Sequence, residues 1–508
     1  MKNDYIYITT PIYYVNGAPH VGHAHTSVMG DILKREYRMQ NKNVFFTTGV
    51  DEHGQKNQKA IEKSGCSAQE YLDNRCAEFR SLADKLNVKY DYFVRTSNES
   101  HKKAVQYVLN EVNHKGLIIS KEYEGLYCVG CEMYKTQSDL DENGCCPDHQ
   151  IKPILMKENN YFFKLSEYQE WLIDYIKTHP EWIQPTHYAN EILHLLEEPL
   201  PDLCISRTKE RCNLGVELPF DSNYVAYVWF DALINYISSI GYPEKQLNFD
   251  KYWGNSVHLM AKDIIKTHCI YWPIMLKAIG LEPQNRNYIH GYWTGEGGIK
   301  MSKTIGNVVD PFEIIEEYGA DAFRYFLARS MGENDSQMSK DIIKNCYNYE
   351  LVNVLSNGLY RTVKLANKIW GGVYPCLDSL KEDDAIFLSS VYSAAKKISE
   401  ETPSLNQINN RTKKALEIGK QVNVFFDRKA PWILAKEQNH SVFDSCIIAC
   451  MEALRILAEV LWPIMPDFSE KILSSLGVEV NWENYELVKH RLRGGKFASP
   501  AMLFIRKE

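Results

Sequence analysis

Residues 5–23 read YIYITTPIYYVNGAPHVGH, and this stretch decides the fold. It opens with aromatic and β-branched residues typical of a strand, continues through a loop with proline and glycine, and enters a helical pattern over residues 20–39. A second strand pattern, VFFTTGV, ends at Val50. Strand, loop, helix and strand in this order form a βαβ unit, so the sequence predicts a parallel sheet that binds ligands at the carboxyl ends of its strands.

The sheet pattern is interrupted once and then resumes. Residues 121–153, which contain Gly, Cys, Asp and Pro, break it and indicate a small inserted module. Strand patterns return near residues 224–229, 256–260 and 288–292. From about Asp341 onward, apolar residues recur at the i, i+3, i+4 spacing of helices, and long helices joined by polar loops are typical of a bundle.

These patterns together predict an α/β protein: a split Rossmann-like parallel-sheet domain with an insertion, followed by an all-α helix bundle. A length of 508 residues suits several domains. We expect the first half of the sheet domain at 1–115, the insertion at 116–223, the second half at 224–330, and a connecting region with the bundle at 331–508.

Composition and charge narrow the class of protein. With 44% hydrophobic and 24% charged residues, the chain is neither disordered nor fibrous. No apolar run approaches the ~18 residues of a membrane span, and the start MKNDYIYITTP lacks a signal sequence, which predicts a cytoplasmic protein without a membrane partner. Residues 351–508 hold 21 basic and 18 acidic residues (+3), whereas residues 1–350 hold 37 and 47 (−10), so the C-terminal third favours a polyanion partner.

The motif HVGH lies where the first loop enters the first helix. A helix N-terminus presents free N–H groups and the positive end of the helix dipole, which together favour phosphate. His20 and His23 can donate hydrogen bonds to phosphate oxygens, and Gly22 lets a flat nucleotide approach the backbone. The alternative for so short a motif is two surface histidines on one helical turn.

A second motif, KMSKT, follows the glycine-rich residues 295–298 and begins at Lys300, 280 positions after His20. Two lysines, Lys300 and Lys303, on such a loop can neutralise the phosphate charge that develops as pyrophosphate leaves. A single KMSK would be read as a solvated loop. Here KMSKT follows a split sheet domain and precedes a helix bundle, and this position favours the interpretation that HVGH and KMSKT form a catalytic pair of motifs.

The inserted module contains a candidate zinc site. An odd total of 13 cysteines in a long chain does not predict a disulfide framework. The spacing CxxC and then CPDH, with ligands Cys128, Cys131, Cys146 and His149, is that of a structural tetrahedral zinc site. Cys145 is the alternative to Cys146, which we prefer because CPDH then leaves a two-residue gap between its ligands.

HVGH and KMSKT resemble the HIGH and KMSKS signatures of class I aminoacyl-tRNA synthetases, with Val21 and Thr304 as conservative departures. The surrounding stretches TTGVDEHGQK, AYVWFDALINY, AKDIIKTHCIYWP and RKAPW resemble the methionyl branch of that family along nearly the whole chain. The resemblance implies a methionine–tRNA ligase, which activates L-methionine with ATP to methionyl-adenylate and transfers it to the 3′ end of methionine tRNA.

The resemblance also implies site residues. His20, His23, Lys300 and Lys303 would be catalytic, with Mg²⁺ on the phosphates. The ATP site would add further residues: Gly22, Asp263, Met301 and Ser302. Methionine would be bound by an aromatic-lined apolar pocket, which suits a thioether, with Asp51 at its ammonium: Ile12, Tyr14, Asp51, Trp229, Ala232, Leu233, Tyr236, Ile264 and His268.

In the helical region the resemblance implies recognition of the anticodon of initiator and elongator methionine tRNAs. The residues implied are Asn353, Asn357, Arg361 and Trp432. The first three are spaced i, i+4, i+8, which predicts one helical stripe, and amide, guanidinium and aromatic groups suit single-stranded RNA. A solvated stripe is the alternative.

Two other kinds of protein compete with this interpretation. Small-molecule adenylate-forming ligases and nucleotidyltransferases share the histidine motif but lack a long helical region after the lysine loop. A non-catalytic tRNA-binding paralogue would be expected to lose signature residues, and His20, His23, Lys300 and Lys303 are all present. Because the chain stops at Glu508, soon after the bundle, we expect a monomer.

Overall fold

The computed structural model describes residues 4–130, 133–147, 150–298, 301, 309–330, 334–375, 377, 379–492, 495–498 and 503–507. The chain divides into two compact units. The first, unit 1, comprises Met1–Pro19, Phe45–Leu82 and Tyr90–Ile289, and the second, unit 2, comprises His20–Val44, Ala83–Lys89 and His290–Glu508.

The described strands are β1 (Tyr5–Tyr14), β2 (Asn43–Asp51), β3 (Tyr92–Arg95), β4 (Ile118–Cys128), β5 (Met133–Lys135), β6 (Ile154–Phe163), β7 (Ile183–Gln184), β8 (Leu203–Cys204), β9 (Ser206–Thr208), β10 (Glu217–Leu218), β11 (Asp221–Ala226), β12 (Ser256–Ala261), β13 (Arg286–His290), β14 (Trp293–Thr294) and β15 (Ser336–Gln337).

The described α-helices are α1 (Val21–Met39), α2 (Gln55–Ser64), α3 (Ala68–Lys85), α4 (Glu99–His114), α5 (Gln169–Thr178), α6 (Thr186–Leu195), α7 (Val228–Leu233), α8 (Asn235–Ser238), α9 (Gln246–Tyr252), α10 (Trp272–Ala278), α11 (Pro311–Tyr318), α12 (Ala320–Ser330), α13 (Lys340–Cys346), α14 (Asn357–Trp370), α15 (Glu382–Glu400), α16 (Leu405–Lys429), α17 (Pro431–Lys436), α18 (His440–Leu461) and α19 (Pro466–Ser475). Two π-helical segments, Thr267–Tyr271 and Tyr347–Ser356, add to these.

Unit 1 is built on a six-stranded sheet with the strand order β3-β2-β1-β12-β13-β7. The pairs β3–β2, β1–β12 and β13–β7 are parallel. Strand β12 is buried along nearly its whole length, as expected for a parallel sheet with side chains packed on both faces. The mixed α/β class, the parallel Rossmann-like core and the helical C-terminal region predicted from the sequence are therefore confirmed.

The inserted segment forms its own antiparallel sheet with the strand order β5-β4-β6-β8. Its centre is the long pairing of β4 with β6, in register from Ile118 opposite Phe163 to Tyr127 opposite Ile154. Cys128 is the last residue of β4, so the first predicted zinc ligand lies at the tip of this hairpin.

Unit 2 is mainly helical, and its core contains buried charges that are paired. In α1, Asp31 Oδ2 contacts Arg324 of α12 at 2.7 Å and Arg35 at 2.8 Å, and the side chains of Asp31 and Arg324 are wholly buried. In α18, Arg455 bridges Glu452 and Glu459 at 2.6 Å each. Removing one member of such a network leaves a buried charge uncompensated, which is strongly destabilising.

The structure corrects a prediction of secondary structure in unit 1. Residues 224–229 carry a strand pattern, but β11 ends at Ala226 and α7 begins at Val228, so Trp229 lies in a helix. The aromatic and β-branched residues there satisfy the pattern of a strand, although they belong to a short helix that is buried at nearly every position. No helix within the described parts of the chain combines the length and the apolar character needed to cross a bilayer.

Candidate active site

The first candidate group is the pair of histidines at the start of α1. His20 is the N-cap, and its Nδ1 accepts a hydrogen bond from the Gly22 N–H at 3.1 Å. His23 Nδ1 accepts from the His20 N–H at 3.1 Å, which completes a reciprocal cap. The two rings stack with their centroids 3.7 Å apart, so the caps hold both imidazoles at the helix N-terminus.

These caps also fix which ring nitrogen carries the proton. Burial, followed by the neighbouring His20, holds the pKa of His23 well below its usual range, so His23 is neutral at pH 7. Because its Nδ1 accepts a backbone N–H, its proton is on Nε2. A neutral His23 with its proton on Nε2 thus carries the kind of N–H donor that an anion at a helix N-terminus requires.

Gly22 has a packing role at this turn. A Cβ built at Gly22 would lie 2.9 Å from His20 Cε1 and 3.1 Å from His20 Nδ1. The space beside the Gly22 backbone is thus occupied by the His20 ring, and a larger residue would displace that ring.

Asp51 ends β2 and is buried in unit 1. Its Oδ1 accepts from the His53 N–H at 3.2 Å and from the Thr96 hydroxyl at 3.4 Å, while the Asn57 amide donates to its carbonyl at 2.9 Å. These contacts hold the carboxylate in place at the carboxyl end of a central strand.

Four of the predicted pocket residues are in contact through their rings, although they are distant in the sequence. The rings of Tyr14 and Trp229 pack edge to face with their centroids 6.5 Å apart, and those of Trp229 and His268 pack edge to face with their centroids 6.3 Å apart. His268 Nε2 is 2.7 Å from the Tyr236 hydroxyl. The strand β1, the helices α7 and α8 and the π-helical segment Thr267–Tyr271 thus bring together an aromatic cluster in unit 1.

The hydrogen bonds of His268 define its state. Burial lowers its pKa to about 4, so the ring is neutral near pH 7. Nδ1 lies 2.8 Å from the carbonyl of Ile264, an acceptor, so the proton is on Nδ1. Nε2 therefore accepts from the Tyr236 hydroxyl, and the pair gives an otherwise apolar pocket one oriented polar contact.

The remaining predicted pocket residues lie on β1, on α7 and, for Ile264, at the end of the turn Lys262–Ile264 that follows β12. Ile12 and Ile264 are half-buried, whereas Ala232 and Leu233 are buried in α7. Asp263, predicted for the ATP site, is exposed in the turn that follows β12. Met301 is half-buried, and Lys300, Ser302 and Lys303 lie outside the described residues.

A second layer behind the pocket was not predicted. The His258 ring stacks on Tyr236 at 4.1 Å, its Nδ1 is 2.8 Å from the Thr9 hydroxyl, and its Nε2 accepts from the Trp272 indole N–H at 3.2 Å. A histidine in the otherwise apolar strand sequence SVHLMA was the signal that could have identified it. This layer limits how far Tyr236 can move.

The structure describes part of the predicted zinc site. Cys128 and Cys146 are wholly buried, and the backbone of Cys146 pairs with Ile151. Cys145 is less buried, and its Sγ is directed at the Asn143 carbonyl at 3.9 Å. Among the described residues no group of three or more His, Cys, Asp and Glu is arranged to hold a metal, and the predicted ligands Cys131 and His149 are outside those residues.

In the helical region, Trp432 is 38% exposed near the start of α17. The Arg361 guanidinium lies 5.9 Å from the centre of the Trp432 ring and 4.8 Å from that of Phe426, and it pairs with Asp427 at 2.5 Å. This places Arg361 and Trp432 on one surface of unit 2.

Asn353 and Asn357 differ from the predicted stripe. Asn353 lies in the π-helical segment Tyr347–Ser356, and Asn357 is the first residue of α14. Asn353 Oδ1 accepts from the Arg506 guanidinium at 3.0 Å. Since a π-helix bonds i to i+5, a spacing of four residues there does not repeat one face as it does in an α-helix.

Comparison with known proteins identifies the family of this chain. A family model described as tRNA synthetases class I (M) matches residues 6–152 and 139–363. The methionine–tRNA ligase of Rickettsia felis is 36% identical over 100% of this chain and 99% of its own, and that of Fusobacterium nucleatum is 37% identical over 95% and 76%.

A solved structure gives the same result for the fold. The Mycobacterium tuberculosis methionyl-tRNA synthetase, solved in complex with methionyl-adenylate, superposes with a TM-score of 0.92 at 31% identity, covering 98% of this chain and 99% of that one. The chain belongs to the class I tRNA synthetases and, within that class, to the methionine–tRNA ligase family. The resemblance drawn from the sequence motifs is confirmed.

Proposed function

We propose that this chain joins L-methionine to the 3′-terminal adenosine of methionine tRNA in two steps. In the first, the methionine carboxylate attacks the α-phosphorus of ATP, which forms methionyl-adenylate and releases pyrophosphate. In the second, a ribose hydroxyl of the tRNA attacks the activated carbonyl, which forms the ester and releases AMP. The chain is thus a ligase that consumes one ATP for each methionine.

The observation that carries the proposal is the ring cluster of Tyr14, Trp229, His268 and Tyr236. An unbranched thioether fits an aromatic-lined slot, and sulfur makes favourable contacts at ring edges. Trp229 presents contacts with both Tyr14 and His268. The neutral His268–Tyr236 pair gives the pocket a polar contact. The pair adds no buried charge, and an uncharged substrate side chain could not compensate such a charge.

We propose that Asp51 takes the methionine ammonium. A carboxylate held by Thr96 and by the His53 N–H is in place before the substrate arrives, so less ordering is needed on binding. Ile12, Ala232, Leu233 and Ile264 would supply the apolar walls of the pocket.

For the phosphates we propose the capped N-terminus of α1. His20 and His23 would donate hydrogen bonds through Nε2, and Gly22 keeps His20 in place. Lys300 and Lys303, with Met301 and Ser302 between them, would close on the β- and γ-phosphates, and Asp263 would bind the ribose. Mg²⁺ on the phosphates would offset their charge. Such a reaction relies on positioning and charge stabilisation more than on covalent chemistry by the protein.

The inserted hairpin would hold one structural zinc ion through Cys128, Cys131, Cys146 and His149. The burial of Cys128 and Cys146 suits closed four-ligand coordination, and the lower burial of Cys145 and its contact with Asn143 favour Cys146 as the third ligand. The zinc would stabilise the hairpin and would take no part in the reaction.

The exposed Trp432 and the neighbouring Arg361 would read the anticodon of methionine tRNA, with Asn353 and Asn357 as further contacts. An exposed indole beside a guanidinium is a stacking surface for unpaired bases. The domain division at 1–115, 116–223, 224–330 and 331–508, the monomeric state and the cytoplasmic location remain predictions.

The test is ATP–pyrophosphate exchange measured with each of the twenty amino acids in turn, followed by aminoacylation of methionine tRNA. We expect methionine alone to support exchange, because only an unbranched apolar side chain suits the ring cluster. Exchange that depended on leucine or cysteine instead would contradict the proposal. Exchange without transfer to tRNA would reduce it to a small-molecule adenylate-forming ligase.

A further inference from the structure

A buried carboxylate in unit 1 joins two imidazoles that the proposed reaction does not use. Asp231 is wholly buried, and His53 and His101 are each 3% exposed. Asp231 Oδ2 lies 2.6 Å from His53 Nδ1, and Oδ1 lies 2.7 Å from His101 Nε2. Both oxygens of one carboxylate thus bind a histidine, and the two histidines come from different elements.

The first histidine belongs to the turn that carries Asp51. His53 is two residues beyond Asp51, and its backbone N–H donates to Asp51 Oδ1 at 3.2 Å. The Asn57 amide donates to the carbonyls of Asp51 and of His53 at 2.9 and 2.8 Å. Because these hydrogen bonds tie the turn together, a force applied at the His53 ring is transmitted to the Asp51 carboxylate.

Asp231 belongs to the helix that lines the pocket. It lies in α7 between Trp229 and the pair Ala232–Leu233. This helix is only six residues long, so its position depends on its tertiary contacts more than on its own hydrogen bonds. Burial by itself would raise the pKa of Asp231, but the hydrogen bonds and charge of His53 and His101 outweigh it and lower the pKa, so the carboxylate is ionised at pH 7. Hydrogen bonds to an ionised acceptor are roughly twice as strong as neutral ones.

We propose that the His53–Asp231 hydrogen bond is a specificity-determining link, which fixes the distance between Asp51 and α7. The inference rests on the proposed function, in which Asp51 takes the substrate ammonium and α7 lines the pocket for the side chain. A fixed distance between these two groups measures the length of the substrate side chain. The link would therefore select methionine over unbranched amino acids that are one atom shorter or longer.

The other half of the arrangement is a natural control. His101, in α4, is equally buried and binds the same carboxylate, but through Nε2 and not through Nδ1, and its Nδ1 is 3.0 Å from the Ser238 hydroxyl in α8. Among the described residues, the hydrogen bonds of the His101 side chain go to Asp231 and Ser238 and none goes to the Asp51 turn. It would support Asp231 and the fold without setting the distance, so of the two histidines only His53 should affect the choice of substrate.

The experiment compares asparagine and glutamine at the two positions. Asparagine places its amide where Nδ1 stands and glutamine places it where Nε2 stands, so His53→Asn and His101→Gln keep their bonds to Asp231, whereas His53→Gln and His101→Asn lose them. For each variant, ATP–pyrophosphate exchange gives kcat and KM with methionine, with norvaline (one side-chain atom shorter) and with ethionine (one atom longer). The melting temperature is measured in parallel.

We expect His53→Gln to lower the preference for methionine by about tenfold, at the lower end of what one methylene is worth in a pocket, mainly through a higher KM for methionine. His53→Asn should restore the preference. His101→Asn should lower the melting temperature but keep the preference within about twofold of the wild type, a change too small to count as altered discrimination.

Equal falls in preference at both positions, or none at either, would overturn the link and leave a purely structural triad. If His53→Gln does not fold, Asp231→Asn disturbs the same bond from the other side, and an unchanged preference in that variant also overturns it. A wild-type chain that supports no methionine-dependent exchange would instead refute the proposed function.

Discussion

Substitution of Gly22 by alanine separates the role of the histidine cap in activity from its role in stability. The new Cβ would lie 2.9 Å from His20 Cε1 and 3.1 Å from Nδ1. Favourable contacts between such atoms are at about 3.5–4.0 Å, so the His20 ring has to move by about 0.5–1 Å. That movement breaks the 3.1 Å hydrogen bond from the Gly22 N–H and the stack on His23.

The expected change in stability is small because two effects cancel. Loss of a helix N-cap costs about 1 kcal/mol, whereas alanine is favoured over glycine in a helix by up to about 1 kcal/mol. Gly22 has no positive φ, so alanine fits its backbone. Catalysis has no such compensation, since removal of one positioned donor to a developing charge costs about 10²–10³-fold in kcat.

The assay is methionine-dependent ATP–pyrophosphate exchange, together with the free energy of unfolding from urea titration. We expect kcat to fall by about 10²–10³-fold. The free energy of unfolding should change by no more than about 0.5 kcal/mol, which is the difference left between the two opposed effects. Gly17→Ala is the matched control, because a Cβ at Gly17 has no neighbour within 4 Å. A Gly22→Ala variant with wild-type kcat would refute the placement of His20 at the phosphates.

Three further outcomes are expected. Tyr236→Phe leaves His268 Nε2 without its donor and should raise the KM for methionine by about 5–30-fold, equivalent to about 1–2 kcal/mol, with kcat little changed; an unaltered KM in the exchange assay would contradict this. Trp432→Ala should weaken aminoacylation of tRNA by about 10–100-fold, since stacking is worth about 1–3 kcal/mol per base, while exchange stays normal; a parallel loss of both activities and of melting temperature would show that Trp432 only supports the fold. Elemental analysis should find one zinc ion per chain, absent from Cys146→Ser and retained in Cys145→Ser, and the reverse result would exchange the two ligands.

Much of the fold follows from local sequence patterns. The strands β1, β2, β12 and β13 and the helix α1 each have a regular period and clear boundary residues. The helix α7 does not, because six residues are too few for a helical period to be distinguished from a strand. The π-helical segment that holds Asn353 could not be predicted either, because one extra residue in a helical turn does not change the hydrophobic pattern recognisably.

The candidate site divides in a similar way. Motifs identify the residues that would touch substrate, such as His20, His23 and Tyr236, because their chemistry and their neighbours in the sequence are distinctive. The residues behind them, such as His258 and Asp231, depend on contacts between elements far apart in the chain. Single polar residues in apolar stretches, as in SVHLMA and WFDAL, were their only signal, and such a signal does not name the partner.

The division of the chain into two units determines which fragments of the protein can fold after truncation or proteolysis. Neither unit is a continuous stretch, since His20–Val44 and Ala83–Lys89 belong with the C-terminal half. A fragment that began at His290 would keep Arg324 and lose Asp31, which leaves a buried guanidinium without its carboxylate. We expect the helical half expressed alone to be insoluble or poorly folded. After a single proteolytic cut between residues 289 and 290, we expect the two pieces to stay associated, because α1 belongs to the N-terminal piece and pairs with α12 of the C-terminal piece. In this protein, a cut at a single point of the sequence cannot separate the two structural units, because each unit is made of several separate segments of the chain.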